Sequence, residues 1–432
     1  MAASARALAL ELLLRTEAAG QYANLSLDAA LSREAQLSPA DRALVTTLFY
    51  GVIEHRITLD AVIHALSSIP PSSIERRVRM ILREAIFQLR WLDRIPDHAA
   101  INEAVSLTPR RSKGYVNAVL RSFCRRGKEL CLPDREADTV AYLSVRYSIL
   151  PALAERFCSI FGVTRAEAIL EAFSHPPRVT VRVNTQRHTR EEFLTRVAGA
   201  EPTVLAPFGV HLPENAPLHT LLSEGLCFVQ DEASQLCVAA LAPTEGGRVL
   251  DLCAAPGSKS FGAALTMCDR GEVHSYDLHA NKISLIEKGA MRLGLHSIRA
   301  AAADARAASP ETVGVFDFVL ADVPCSGYGV IGKKPDIRYK PVEQAAGLIP
   351  VQSEILDAAA SCVAAGGTLV YSTCTLLPEE NKEQVRAFLA RHADFSLVPF
   401  EIGTLASDGM LTLTPDRFQT DGFFIAKLRR EK

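Results

Sequence analysis

Two cysteines stand where covalent chemistry is possible. Asp322-Val323-Pro324-Cys325-Ser326 follows the apolar run Phe316–Asp322, and Ser372-Thr373-Cys374-Thr375 follows the run Thr368–Ser372. Both runs read as buried strands. In a parallel sheet with helices on both sides, strand ends of this kind share one face. A free cysteine is usually a small buried hydrophobe, and that reading is given to the other eight of the ten cysteines, Cys253 included. At adjacent strand ends a thiolate can instead serve as a nucleophile. Addition to a pyrimidine ring fits these groups. Carbon 5 of the ring is too weak a nucleophile to attack a methyl sulfonium, but a thiolate adding at carbon 6 converts the ring to an enamine. An acid hydrogen-bonded near ring nitrogen 3 assists the addition. A base must then remove the proton from carbon 5 so that the thiolate can leave. Asp322, Cys325 and Cys374 supply these group types.

A second constellation lies upstream. The run Arg248–Cys253 leads into Asp251-Leu252-Cys253-Ala254-Ala255-Pro256-Gly257-Ser258-Lys259, a turn of small residues opening a helix. Small residues let backbone approach a ligand, and the helix N-terminus faces it. Leu252 replaces the first glycine of a phosphate-binding loop, and no G-x-G-x-x-G is present, so neither nucleotide fingerprint applies. Asp277 ends the next strand, about 20 residues on, where a carboxylate can accept both hydroxyls of a ribose. Asp304 follows a third strand near Ile298–Ala301, placed to meet an adenine edge. Ribose and adenine without a pyrophosphate suit S-adenosylmethionine better than NAD. The plainer alternative for both acids is a structural cap at a strand end.

The elements that must carry these groups alternate along the last part of the chain. Strands are expected at Arg248–Cys253, Glu272–Asp277, Phe316–Asp322, Thr368–Ser372 and Phe423–Leu428, with helices at Ala280–Leu293 and Val351–Ala364. This is a Rossmann-like α/β domain over residues 245–432. Residues 134–244 form a small α+β region: helices near Leu150–Phe161 and Arg165–Ser174, then an alternating strand Val179–Val183. A linker is expected near 127–138. Residues 1–133 are helical by period, with no convincing strand, and make an all-α bundle. Ser38-Pro39-Ala40-Asp41 is a helix start, Gly20 a helix stop, and Ile81, Ala85 and Leu89 an inward face with arginines largely outward.

Composition narrows the class. The 432 residues are 48% hydrophobic and 22% charged, which excludes a mainly disordered chain. No apolar run reaches the roughly 18 residues of a membrane span. Glu11, Arg15 and Glu17 interrupt the N-terminal apolar positions, so an amphipathic helix is expected there rather than a signal peptide. The cysteines show neither metal-ligand nor disulfide spacing, and a reduced cytoplasmic setting is expected. Net charge is −2, yet Arg76 to Lys128 holds 13 Lys or Arg against four Asp or Glu, a local excess of nine positive charges. Such a stretch suits a polyanion, or else simply forms solvated helix faces. Gly332-Lys333-Lys334-Pro335-Asp336-Ile337-Arg338-Tyr339-Lys340 is a further basic loop, read as contacting phosphate and stacking on a base.

Taken together, Val229-Gln230-Asp231-Glu232-Ala233-Ser234, DLCAAPGSK, ADVPCSGYGVIGKKPDIRY and YSTCTLLPEEN resemble the RNA cytosine-5 methyltransferases of the Sun/Fmu type, which act on small-subunit ribosomal RNA. SKGYVNAVLRSF is similar to the closing helix of NusB-like antitermination domains, which that family carries. The resemblance covers nearly the whole chain. It departs from the family pattern at Val323, at Ser258 and at Thr375, where alanine, glycine and serine are commoner. It implies Cys374 as nucleophile, Cys325 as the thiol assisting product release, and S-adenosylmethionine as cofactor. Cys253, Ala254, Ala255, Pro256, Gly257, Ser258, Lys259, Asp277, Asp304 and Asp322 would line that cofactor, with Cys253 contributing backbone only. Lys259 either touches cofactor or substrate, or caps a loop carbonyl. The implied partner is 16S rRNA, naked or in an early assembly intermediate, with neither membrane nor DNA. Two alternatives stay open: the same chemistry on tRNA or another RNA, and a non-catalytic RNA-binding or assembly factor.

Overall fold

Ser38 accepts a hydrogen bond from the Asp41 amide at 3.1 Å and starts the helix Pro39–Glu54, as the Ser-Pro-x-Asp order requires. The computed structural model describes residues 4–19, 27, 30–32, 36–70 and 73–431; Gly20 lies outside them. Contacts divide the chain into two units, residues 1–174 with 333–341, and residues 175–332 with 342–432.

The first unit is helical. Ala5–Ala19, Pro39–Glu54, Arg56–Leu66, Arg76–Trp91, Asp97–Leu107 and Lys113–Arg125 pack around Leu10, Val45, Leu48, Phe49, Val62, Ile81, Ile86, Leu120 and Phe123. Gly51 lets the Phe87 ring pass where a Cβ would sit 2.0 Å from it. Ile81, Ala85 and Leu89 face inward as their spacing requires. Arg83 does too, against the expectation for the arginines. It is buried because Asp60 takes both ends of its guanidinium at 2.7 Å and Glu17 a third position at 2.9 Å. The positive excess is therefore partly neutralised at close range: Arg76 pairs with Glu17, Arg77 with Glu11, Arg111 with Glu75 and Lys128 with Asp97.

Three more helices, Thr139–Tyr147, Pro151–Phe161 and Val163–Ala172, belong to this unit. They join it through Thr58, whose hydroxyl donates to the Val145 carbonyl, and through the Ile57 amide, which donates to Ser148 at 2.9 Å. The contact boundary thus falls at Ser174, inside the 134–244 span. The loop read as contacting phosphate and base is also part of this unit, and for Arg338 that reading is corrected. Arg338 is 1% exposed and donates to the carbonyls of Tyr147 and Phe173 and to Glu54. The Tyr339 hydroxyl donates to Ile53 O at 2.6 Å. Both side chains close carbonyl ends inside the helical unit, and Arg56 covers one face of the Tyr339 ring at 3.6 Å.

In the second unit, an antiparallel sheet runs in the order Glu201–Pro202, Gly209–Leu212, Val179–Val183, Cys227–Val229. The larger sheet contains β1 (Arg248–Asp251), β2 (Glu272–Asp277), β3 (Ile298–Ala302), β4 (Phe316–Asp322), β5 (Val363–Thr373), β6 (Phe395–Leu397), β7 (Met410–Leu413) and β8 (Phe423–Arg430). Its order is β6-β8-β5-β4-β1-β2-β3, with β7 on β8. The strands from β5 to β3 are parallel, and β8 is antiparallel to β5. Alternate residues serve opposite cores. Val249, Leu320, Val370 and Ile425 line one; Leu250, Val319, Leu369 and Phe424 line the other. The chain leaves β1 toward β2 and β3, then returns to β4 on the other side. The strand order reverses there, at the C-terminal ends where α/β sheets bind ligands.

Several boundaries differ from expectation: β1 ends at Asp251 rather than Cys253, and β8 runs on to Arg430. The helix expected at Val351–Ala364 runs Leu348–Ser361, and β5 begins at Val363 rather than Thr368. Gly366, at φ +73°, accompanies a register shift against Phe316–Phe318 in the added first part of β5.

Candidate active site

The turn after β1 is held by the strand beside it. Ala254 N donates to Tyr276 O at 2.8 Å, and Ala255 N reaches Asp277 Oδ2 at 3.3 Å. Gly257, at φ +107°, closes the turn through its own amide on Ala254 O and begins the helix Ser258–Thr266. Asp277 is 7% exposed, and its Oδ1 accepts from the His279 amide at 3.0 Å. Each oxygen thus has one backbone partner, and a carboxylate has about four acceptor positions. Lys282 Nζ lies 3.6 Å from Oδ1, and the acceptor positions that remain suit a pair of vicinal hydroxyls. The acceptor set therefore fits an adenosyl ligand at this turn. Asp304 is engaged otherwise: it caps the turn Ala305–Ala307 and grips the Arg306 guanidinium at 2.7 Å, which holds its carboxyl below the usual range. Burial pushes the Cys253 thiol up, consistent with an inert wall.

Beneath the turn lies a polar chain that sequence reasoning missed. Ser275 Oγ donates to Ser260 Oγ at 2.8 Å, and Ser260 Oγ to Asp251 Oδ2 at 2.7 Å. Burial pushes the Asp251 carboxyl up to about 7.

Lys259 does not cap a carbonyl. Its Nζ donates to Asp322 Oδ2 at 2.6 Å, while Asp322 Oδ1 accepts from Ser372 Oγ at 2.7 Å. Burial alone would lower the lysine; the Asp322 charge outweighs it and holds the ammonium protonated. β4 and β5 are paired with Asp322 opposite Ser372, so the residues three beyond Asp322 and two beyond Ser372 emerge side by side. These are Cys325 and Cys374, and their Sγ atoms are 3.3 Å apart. The hydrogen bond to Cys374, then burial, raises the Cys325 thiol well above its ordinary value. Of the expected residues, the structure joins Lys259 to Asp322 and Cys325 to Cys374, and joins Asp277 to the turn.

Four further residues shape this corner. The fully buried Glu380 accepts from Ser326 N at 2.9 Å, from Ser326 Oγ and from Gln352 Nε2. Asn381 Nδ2 donates to Thr375 O at 3.0 Å, and Asn381 Oδ1 accepts from Thr373 Oγ1. Gly329 N donates to Cys374 O at 2.9 Å, and a Cβ on Gly329 would meet that carbonyl and Gly422 O. Glu380 and Asn381 sit in the YSTCTLLPEEN stretch that carries the family resemblance, but neither stood out there as a site residue. Gln352 gave no signal.

Comparison with known proteins gives the relatives of the chain. Residues 238–429 match the model of the family described as 16S rRNA methyltransferase RsmB/F. Residues 3–125 match the NusB family, and 152–219 a ferredoxin-like domain described for RsmF/B-like methyltransferases. A curated relative from Bacillus subtilis (strain 168), named probable ribosomal RNA small subunit methyltransferase B, is 38% identical over 99% of both chains. The crystal structure of PH0851 superposes with a TM-score of 0.79 and 27% identity, covering 99% of this chain and 98% of that one. A methyltransferase homolog protein from Pyrococcus horikoshii gives 0.60 and 26%, over 68% of this chain and 99% of that one.

Proposed function

Because the chain belongs to the 16S rRNA methyltransferase RsmB/F family, S-adenosylmethionine-dependent methyltransferases of RNA, we propose that it methylates carbon 5 of a cytosine in 16S rRNA through a covalent Cys374 adduct. The observation that carries this reading is the 3.3 Å approach of Cys325 Sγ to Cys374 Sγ at the ends of paired strands.

Of the two thiols, Cys325 is held protonated by its neighbour and by burial, and Cys374 is the one assigned to act as thiolate. Cys374 Sγ bonds to carbon 6, and the ring gains a hydrogen bond or proton at nitrogen 3. That proton comes from the Lys259–Asp322 pair. Asp322 accepts at both oxygens, whereas the ammonium has two hydrogens beyond the one given to Asp322. S-adenosylmethionine, when bound, supplies the electrophilic methyl for carbon 5; Asp277 and the 253–258 turn are the residues that would hold it. Release follows from the same geometry. Cys374, bonded to carbon, no longer carries charge, so what it contributed to holding Cys325 protonated is lost. Cys325 gives its proton to solvent and, as thiolate, takes the carbon 5 proton. The electrons of that C–H bond restore the 5,6 double bond and expel Cys374 as thiolate.

Residues 1–133 serve as the RNA-docking domain, 134–244 as an accessory RNA-binding region and 245–432 as the catalytic domain. Support comes from the exposed Arg110, Lys113, Arg121, Arg125 and Arg126, of which Lys113, Arg121 and Arg125 recur at helical spacing on one face. The substrate is naked 16S rRNA or an early assembly intermediate in the cytoplasm. Ten free cysteines and the lack, among described residues, of a helix long and apolar enough to cross a membrane are in keeping with that setting. Bisulfite sequencing of rRNA from cells with and without the protein tests the reading. One cytosine should lose its protection in the deleted strain; an unchanged 16S rRNA pattern would refute it.

A further inference from the structure

The two cysteine loops are held by two adjacent residues. Glu380 holds the Cys325 loop: its Oε1 accepts from Ser326 N at 2.9 Å and from Gln352 Nε2 at 2.9 Å, and the same Gln352 amide donates to Pro324 O at 3.0 Å. Cys325 is thus fixed on both sides. Asn381 holds the Cys374 loop in the same manner, through Thr373 Oγ1 on one side and Thr375 O on the other. A cross-link joins the loops: Ser326 Oγ and Thr375 Oγ1 are 2.7 Å apart. The Ser326 hydroxyl gives its one proton to Glu380 Oε2, so Thr375 is the donor to Ser326. Hydrogen bonds therefore run in one direction, from the residue after Cys374, through the residue after Cys325, to Glu380.

We propose that Glu380 and Asn381 are the positioning residues of the two-thiol site, Glu380 for the Cys325 step that releases product and Asn381 for the Cys374 step that forms the adduct. Glu380 is 0% exposed, and the hydrogen-bond partners of its carboxylate all belong to the loop or to Gln352. A carboxyl buried in this way is costly unless its donors are preorganised. The chain retains it where it bears on Cys325, and its charge adds to the elevation of that thiol. Tyr371 ties the Glu380 carbonyl to β5 at 2.7 Å, so the anchor is itself rigid. Neither residue reaches the turn that would hold the cofactor.

The inference rests on the two-cysteine reading, and the test separates them. Full-length Glu380→Gln and Asn381→Ala are compared with the parent and with Cys374→Ser for S-adenosylmethionine affinity, steady-state methylation of 16S rRNA, and covalent RNA adduct on a denaturing gel. Cofactor affinity and KM for RNA should stay within about threefold, while kcat falls about 100-fold in both variants, as for misplaced reacting groups. The adduct should accumulate in Glu380→Gln and fail to form in Asn381→Ala. Ser326→Ala, which removes the relay hydroxyl and keeps Glu380, should accumulate adduct as well, and decides the matter if Glu380→Gln does not fold. Parental release rates in Glu380→Gln and Ser326→Ala, or both positions failing at one step, overturn the assignment while Cys374→Ser stays inactive. An active Cys374→Ser overturns both this assignment and the covalent mechanism.

Discussion

Lys259 Nζ donates to Asp322 Oδ2 at 2.6 Å, and this pair ties the helix after the small-residue turn to the end of β4, three residues before Cys325. The lysine is 11% exposed and the aspartate 24%, so the pair is neither fully dry nor freely solvated. Lys259→Met should lower unfolding free energy by about 1–3 kcal/mol, below the cost of breaking a fully buried pair. Adding Asp322→Asn should recover part of that loss. A double-mutant cycle in urea measures the coupling, and strictly additive losses would show that the two groups do not interact.

Asp277 holds the turn through the amides of Ala255 and His279 and keeps acceptor positions for a ligand. Asp277→Ala should weaken S-adenosylmethionine binding by about 1–3 kcal/mol, the scale of a lost charged hydrogen-bond partner. Calorimetry on the folded variant checks this; an unchanged dissociation constant would place the ribose elsewhere.

Burial pushes the Asp251 carboxyl up from 3.8 to about 7. Between those values the folded state holds a proton that the unfolded state has lost, so this group's contribution is full below about 4 and disappears as pH rises through about 7. Asp251→Asn, neutral throughout, should flatten the fall in stability across that window. Urea unfolding at pH 5, 6, 7 and 8 reads the difference between variant and parent, and parallel curves would contradict the shift.

Arg111 is exposed but paired with Glu75; Arg110, Lys113 and Arg125 are exposed as well. Reversing these three to Glu should weaken binding to naked 16S rRNA and reduce the salt slope, by about 0.7–0.9 for each phosphate that is no longer neutralised. Cofactor affinity should not change. Equal affinity and slope across a salt series would remove this surface from RNA recognition.

Much of the catalytic unit was legible because continuous apolar runs leave few alternatives to buried strands. β2 and β4 begin and end where Glu272–Asp277 and Phe316–Asp322 were expected, and Cys325 and Cys374 meet as strand-end positions imply. The residues that escaped notice are polar ones buried by distant partners. Arg338 looks like a phosphate ligand until the carbonyls of Tyr147 and Phe173 are placed around it. Arg83 looks solvated until Asp60 faces it from another helix. Glu380 does not stand out until the Ser326 amide arrives from a loop far upstream. Local pattern reports period and burial of apolar groups; it does not report which donor will meet a charged side chain.

The central claim is that Cys374 bonds to the RNA base and Cys325 frees it. Its most direct test is a denaturing gel of Cys325→Ser incubated with labelled 16S rRNA and S-adenosylmethionine. A slowly migrating protein–RNA band should accumulate, resist heat and detergent, and vanish in the Cys325→Ser/Cys374→Ser double variant. Absence of the band alongside parental turnover, or its persistence without Cys374, would contradict the assignment of the two thiols.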